Sequence, residues 1–476
     1  MSLANRNLVT IDDLSNKEIE ALFSLAEEMS DSISDQSSLC QGKIMASLFF
    51  EPSTRTRLSF EAAMLRLGGR VISAVDIGAT SLAKGESLAD MARVVGDYAD
   101  IIVIRHPWEG TAKVVADYAG VPVINAGDGS HEHPTQTLCD LYTLKKERKT
   151  IEGLKIALWG DLKYGRTIHS LIYALARFGA TILFRPSPGL EIPEHVLRKL
   201  TTEYRGELKR HDALKHVVKE GLFPLDAIYI TPSRPHQLAM MPDIRIQIKL
   251  KTGVDALYVT RLQKERLTAT AEGQDLKKDY PVVDKKLLKE KEFKRTLIMH
   301  PLPRFDELAY EVDADPRSMY FKQAAHGVPI RMALIALLLG AKDVSTPKED
   351  DSFVQKIDYP VYKRDFGVRC HNPSCVSTQE SEARYIKPEF KIVNLGSLTL
   401  RCVYCEHETN PPYIASSDWH QGMLENKKYH SADSHWTRKI KPGNLIIFDS
   451  ESEAQARGFK PSSYARAPHQ RSDKGE

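Results

Sequence analysis

Residues 43–60, KIMASLFFEPSTRTRLSF, limit the architecture more than any other stretch of the chain. The stretch begins with a mostly apolar segment, Lys43 to Phe50, that has the length and aromatic content of a buried strand. Further on, in LSFEAAMLRLGG, Leu58, Ala62, Leu65 and Leu67 recur near helical spacing and stop at Gly68 and Gly69. A strand, a short loop and a helix in succession aim free backbone N–H groups and the positive helix end at an anion. The loop carries Ser53, Thr54, Arg55, Thr56 and Arg57. Hydroxyl donors beside guanidinium forks suit a phosphate, which accepts several charge-assisted hydrogen bonds at once. A lone Ser-Thr-Arg would be read as an N-cap and a solvated basic turn. This density of donors between a buried strand and a helix favours the phosphate.

The same alternation continues. Apolar strands are read at 71–76, 101–107 and in VPVINAGD, each followed by a helical segment, which means a parallel α/β sheet covered on both faces. A second run starts at Leu154 with LKIALWGD and ATILFRPS, so a domain boundary is expected near 140–152. LDAIYITPSR at 225–234 resembles VDALYVTRLQ at 254–263, as an inserted excursion, a local duplication or a chance echo. The fold class expected is two doubly wound parallel-sheet domains plus a small C-terminal β domain that binds zinc. The expected division is 1–145, 146–328, a returning helix at 329–341, a linker at 342–360, a zinc domain at 361–412 and a tail at 413–476. A net charge of +3 implies no bulk attraction to nucleic acid or membrane. Apolar runs too short to span a bilayer and an N-terminus without a signal-peptide pattern suggest a cytoplasmic protein.

Several residues sit just after expected strands, where open α/β sheets bind ligands: Ser53, Arg105, His133 and Arg166. Singly, each has an ordinary reading, since an arginine after a strand is usually a salt-bridge partner. Their order is more specific: STRTR, SLAKG, RHP, HPTQ, GRT, RLQ and HPLPR. This series resembles the aspartate and ornithine carbamoyltransferases across roughly residues 5–340. HPLPR, rather than a motif with cysteine in the second position, together with Arg166, Arg261 and Arg266, points to a dicarboxylate and hence to the aspartate branch. The resemblance implies transfer of a carbamoyl group from carbamoyl phosphate to L-aspartate in pyrimidine biosynthesis.

It also implies roles. Ser53, Thr54, Arg55, Thr56 and Arg105 would hold the phosphate. Thr56, Arg105 and His133 would polarise the carbamoyl carbonyl, and Gln136 would bind its NH2. Arg166, Arg261 and Gln263 would hold aspartate. Backbone groups of Pro301 and Leu302 would position both substrates. Ser81 and Lys84 would reach the neighbouring subunit's site, which requires a homotrimer or a multiple of it. Glu51 would pair with Arg166 or Arg266 on domain closure.

Cys40 and Cys139 read as plain thiols. Cys370 and Cys375, spaced C-x4-C, and Cys402 and Cys405, spaced C-x2-C, fit a tetrahedral structural zinc site. Disulfides are the competing reading, disfavoured in a cytoplasmic enzyme. RCHNPSCVS and LRCVYCE resemble the zinc domain of the aspartate carbamoyltransferase regulatory chain, here fused to the catalytic chain. The tail YHSADSHWTRKIKPGNLIIFDSESEAQARGFKPSSYA looks like a small zinc module of the kind found in the Ada DNA-repair protein, with Ser434 and Ser462 in cysteine positions. Either a scaffold without its metal or a partly ordered polar tail follows from that.

Overall fold

The computed structural model describes residues 2–187, 189–204, 208–209, 225–231, 253–261, 282–344, 354–380, 385–417, 427–463 and 465. Gln263, Arg266 and, within the excursion at 221–253, residues 221–224 and 232–252 lie outside the described residues, and of Arg166 only the backbone is described.

Strands β1 (Ile44–Phe49), β2 (Arg70–Ala74), β3 (Ile101–His106) and β4 (Val123–Asp128) form one parallel sheet in the order β2-β1-β3-β4. Parallel neighbours need crossovers, supplied by helices α2 (Thr54–Arg66), α3 (Leu88–Tyr98) and α4 (Thr111–Tyr118), with α1 (Asn16–Asp31) packed alongside. β3 and β4 are buried along their whole length, and Ile101 to Ile104 of β3 accordingly read as a continuous apolar run and not as an alternating one.

Helix α5 (Pro134–Arg148) leads to the second sheet. Strands β5 (Lys155–Gly160), β6 (Thr181–Pro186), β7 (Leu208–Lys209), β8 (Ala227–Ile230), β9 (Ala256–Val259) and β10 (Leu297–Met299) pair in parallel in the order β10-β9-β8-β5-β6-β7. Helices α6 (Arg166–Arg177) and α7 (Glu194–Glu203) belong to this unit. The two look-alike segments supply β8 and β9, which are adjacent in the sheet. Tyr229 stands opposite Tyr258, and their rings stack at 4.2 Å with 12° between planes.

The long apolar helix spans Tyr320–Leu338, so it begins before Pro329, where the sequence suggested its start. Pro329 cannot donate a helical hydrogen bond, but every residue from Pro329 to Leu338 is buried, and tertiary packing outweighs the lost bond. The helix packs on α1, α2 and α5 and closes a common core over both α/β units.

Beyond it, β11 (Val361–Lys363), β12 (Glu389–Asn394), β13 (Thr399–Cys402) and β14 (Glu408–Thr409) form an antiparallel sheet. A further sheet, in the order β17-β15-β16-β18, contains β15 (Tyr413–Ser416), β16 (Lys428–Ser431), β17 (Leu445–Phe448) and β18 (Lys460–Pro461). The described residues of 413–461 therefore carry a folded sheet. Ile414, Leu445 and Ile447 join the apolar cluster of the four-cysteine unit, and the Ile447 N–H donates to the Tyr362 hydroxyl at 3.0 Å. Among the described residues no helix is long and apolar enough to cross a membrane.

The four-cysteine unit lies against both preceding units. The Glu109 N–H donates to the Ser374 carbonyl at 2.8 Å, and the Val376 N–H donates to the Glu109 carbonyl at 2.9 Å. Glu380 accepts from the Leu88 N–H at the start of α3 at 2.8 Å. On α7, Arg198 pairs with Glu408 and Lys199 with Glu406, both at 2.8 Å.

Candidate active site and metal centre

Three helices begin just past the carboxyl ends of parallel strands: α2 after β1, α5 after β4 and α6 after β5. None has an acidic residue in its first turn, so their positive ends are not neutralised locally. Ser53 caps α2 without committing its hydroxyl to the helix, and Thr56 lies buried in the first turn. Ser53, Thr54, Arg55 and Thr56 thus surround one helix N-terminus, as an anion site requires.

Arg105 leaves the end of β3 and is only 6% exposed. Its Nη1 donates to the Ala126 carbonyl at 3.2 Å, and its Nη2 pairs with Glu51 Oε1 at 3.1 Å. Glu51 is thus paired with Arg105, while the Arg166 side chain and Arg266, its expected partners, lie outside the described residues. Gly127 adopts φ +116°, and a Cβ there would come within 3.0 Å of Arg105 Nη1 and 3.4 Å of His133 Cδ2. Glycine lets the β4 backbone turn tightly enough to bring guanidinium and imidazole together. The buried His133 is the N-cap of α5, and its N–H donates to Ser170 Oγ at 2.9 Å. Pro134 at the next position sets the helix start.

The second unit closes on this wall. Arg55 Nη2 donates to the Leu302 carbonyl at 2.6 Å. Burial, and then the charge of Arg261, lower the Arg55 pKa, so two guanidinium groups share one cleft. Such a pairing calls for an anion between them. The Leu302 N–H donates to His300 Nδ1 at 2.8 Å, which leaves His300 Nε2 to carry the proton and donate to Glu307 Oε1 at 2.9 Å. Burial lowers the His300 pKa and favours this neutral form. Leu302 has φ 52°, a strained setting held by these bonds. Arg304 is committed to Asp313 through both guanidinium nitrogens and stacks 4.3 Å from the Tyr310 ring.

Ser81 and Lys84 lie on an exposed 3-10 turn, Ser81–Lys84, and are not brought into this cleft by any described contact. Gln136, one turn into α5, donates from Nε2 to Asp140 Oδ1 at 2.8 Å. Asp140 was not singled out from the sequence, although a carboxylate four residues after Gln136 on one helix was a readable signal.

Cys370, Cys375, Cys402 and Cys405 are buried, and their sulfurs lie within 4.8 Å of one another. The Cys370–Cys405 pair is 3.5 Å apart and the Cys375–Cys402 pair 3.8 Å. Tetrahedral coordination with Zn–S bonds of about 2.3 Å places sulfurs about 3.8 Å apart, so the set fits a metal ion.

A second cluster, His131, Glu132 and Glu406, also has its atoms within 4.8 Å of one another. Lys199 Nζ already holds both Glu406 oxygens, at 2.9 and 2.8 Å, so a cation already neutralises that carboxylate. Burial raises the Glu132 carboxyl to about 8, overcoming the opposing charges of Lys199 and His131. For His131, burial pulls down, but the charge and hydrogen bond of Asp128, with Glu132 and Glu406, raise it to about 10. Both groups favour the protonated folded state. The contribution of Glu132 is complete below its ordinary value of 4.5 and is lost as pH rises through about 8. The thermal midpoint is therefore expected to fall between pH 5 and 8, and Glu132→Gln to flatten that slope. An unchanged slope in scanning calorimetry would remove Glu132 as its source.

Comparison with known proteins follows the same division. Residues 6–146 match the family profile "Aspartate/ornithine carbamoyltransferase, carbamoyl-P binding domain", and residues 237–338 match its "Asp/Orn binding domain". The chain is 46% identical over 340 residues to the aspartate carbamoyltransferase catalytic subunit of Thermoplasma acidophilum, covering 71% of this chain and 99% of that one. The chain belongs to the aspartate carbamoyltransferase family. The aspartate carbamoyltransferase catalytic subunit of Methanocaldococcus jannaschii is 43% identical over 337 residues, 70% of this chain and 98% of that one. A solved structure of the M. jannaschii catalytic subunit superposes with a TM-score of 0.55 at 40% identity, covering 70% of this chain and 98% of that one. The Trypanosoma cruzi aspartate transcarbamoylase in complex with carbamoyl phosphate and aspartate gives 0.55 at 36% identity, covering 71% and 98%. Residues 364–414 match the "Aspartate carbamoyltransferase regulatory chain, metal binding domain". The chain therefore joins segments that match the catalytic domains and a segment that matches a regulatory-type metal domain in one polypeptide.

Proposed function

We propose that the cleft between the two α/β units transfers the carbamoyl group of carbamoyl phosphate to the amine of L-aspartate, giving N-carbamoyl-L-aspartate and phosphate. The observation that carries this reading is the meeting of Arg105 and His133 across Gly127, opposite the Arg55–Leu302 bond. Ser53, Thr54, Arg55, Thr56 and Arg105 hold the phosphate. Thr56, Arg105 and His133 stabilise the charge that develops on the carbonyl oxygen. Gln136 accepts from the carbamoyl NH2, and Pro301 and Leu302 place both substrates through backbone groups. Arg166, Arg261 and Gln263 hold the aspartate carboxylates, so that the amine nitrogen faces the carbonyl carbon. The nitrogen forms its bond to carbon, the bond from carbon to the phosphate oxygen breaks, and the departing phosphate takes the amine proton. No side chain is needed as a covalent nucleophile.

The working division is a carbamoyl-phosphate domain at 1–145, an aspartate domain at 146–328, the returning helix segment at 329–341, a linker at 342–360, a zinc domain at 361–412 and a C-terminal module at 413–476. The metal held by Cys370, Cys375, Cys402 and Cys405 is structural zinc, since four thiolates suit that ion and leave no open position. The chain works as a homotrimer in which Ser81 and Lys84 complete a neighbour's site. Its contact face is the apolar surface of α2 and the edge strand β2, where Leu58, Leu65 and Ile72 are 49%, 60% and 42% exposed. An assay for ureido product with aspartate and ornithine side by side tests the reading. Product is expected with aspartate alone. Product with ornithine, or with neither, would overturn it.

A further inference from the structure

Asp140 is buried to 1% exposure in α5, and its two oxygens receive donors from three elements. Oδ1 accepts from Gln136 Nε2 at 2.8 Å and from Gln323 Nε2 at 2.7 Å. Oδ2 accepts from the Tyr258 hydroxyl at 3.1 Å. Gln323, on the long helix, accepts through Oε1 from the His300 N–H at 3.1 Å. The same carboxylate therefore touches the candidate reader of the carbamoyl amide and strand β9 ahead of Arg261, and through Gln323 it is linked to His300, two residues before Leu302.

We propose that Asp140 is a positioning residue that fixes which face of the Gln136 amide meets the substrate. This rests on the carbamoyl-transfer reading above. An ionised carboxylate has acceptors and no donor, so it takes the NH2 side of the Gln136 amide and leaves the carbonyl oxygen on the opposite side. That oxygen is the atom needed to accept from a carbamoyl NH2. A glutamine free to flip would present its NH2 half the time, donor against donor. The orientation of Gln323 is set from its far end by the His300 N–H, so the pattern around Asp140 is consistent throughout. Burial raises the Asp140 carboxyl to about 7, while Gln323, Gln136 and Tyr258 hydrogen bonds and the Arg331 charge pull it down. Burial outweighs the donors, so the acceptor-only carboxylate is the main form only above about pH 7, and it is the donor geometry of Gln136, Gln323 and Tyr258 that the proposal stands on. Tyr258 and Gln323 come from beyond the carbamoyl-phosphate unit, so Asp140 also ties amide recognition to the wall that holds the second substrate.

The test is a double-variant cycle on the full-length, zinc-loaded protein: parent, Asp140→Ala, Gln136→Ala and both together. If Asp140 acts through Gln136, Asp140→Ala lowers kcat/KM for carbamoyl phosphate by roughly tenfold to a hundredfold, and adds less than about twofold in the Gln136→Ala background. Asp140→Asn, whose oxygen still accepts from Gln136 and Gln323, is expected to recover most of the loss. Losses that multiply in the double variant would overturn the proposal and leave Asp140 as a core hydrogen-bond hub. So would parent-like activity of Asp140→Ala, or an Asp140→Asn no better than Asp140→Ala. If Asp140→Ala does not fold, Asp140→Ser carries the same cycle and the same criteria. A parent without ureido product would sink the carbamoyl-transfer reading itself, an outcome distinct from all of these.

Discussion

Replacing Arg105 by alanine is expected to remove nearly all turnover. Its guanidinium is buried, fixed by Ala126 and Glu51, and stands beside His133 where the carbonyl oxygen would gain charge. A preorganised donor in such a site contributes about 2–4 kcal/mol to the transition state, roughly thirtyfold to nine-hundredfold in kcat. Arg55→Ala is expected to fall in the same range, because it removes both a proposed phosphate donor and the 2.6 Å bond to the Leu302 carbonyl across the cleft. Arg105→Lys keeps the charge but not the fork that reaches two partners, so it should recover little. Steady-state ureido assays on variants with parent-like thermal midpoints decide this. Activity within twofold of the parent in Arg55→Ala or Arg105→Ala would remove the proposed site.

Cys402→Ser is expected to empty the metal centre and unfold the C-terminal units together. A structural four-thiolate zinc site carries on the order of 10–16 kcal/mol of apparent binding free energy, more than a small antiparallel sheet supplies from its own core. Cys370, Cys375, Cys402 and Cys405 sit in an apolar cluster with Ile414 and Leu445 of the last sheet and with Leu88 and Val115 of the first unit. The disturbance should therefore reach the catalytic side. Glu109 bonds to the backbone of Ser374 and Val376, takes the Asn372 amide at 2.6 Å, and accepts from the Ser130 N–H ahead of His133 at 3.2 Å. Metal analysis should find no zinc in the variant, limited proteolysis should cut within 361–461, and carbamoyl transfer should drop. Stoichiometric zinc in Cys402→Ser would mean that the ligands lie elsewhere.

The sequence alone determined a good deal. A buried strand feeding a donor-rich loop and a helix favoured an anion site of an α/β fold over a solvated turn, because that order of elements points N–H groups and hydroxyls to one place. Two close cysteine pairs favoured a metal site over disulfides, because spacing within each pair is a local property, and the fold brings the four sulfurs together. The run of motifs from STRTR to HPLPR determined the family. What remained hidden depended on contacts between residues far apart in sequence. Pro329 suggested a helix start, yet burial of the whole segment carries the helix through it. The sequence left residues 413–476 between a small module and a partly ordered polar tail; in the fold Ile414, Leu445 and Ile447 pack on the four-cysteine unit while Tyr413, Tyr429 and Phe448 form a cluster of their own, contacts that the local pattern does not show. The fold also brings Glu51 to Arg105, a pair fifty-four positions apart that no local pattern shows. Asp140 looked like one more helical carboxylate. It acquires a role only when Tyr258 and Gln323, each more than a hundred positions away, converge on it, and that convergence is set by how the two sheets and the long helix pack.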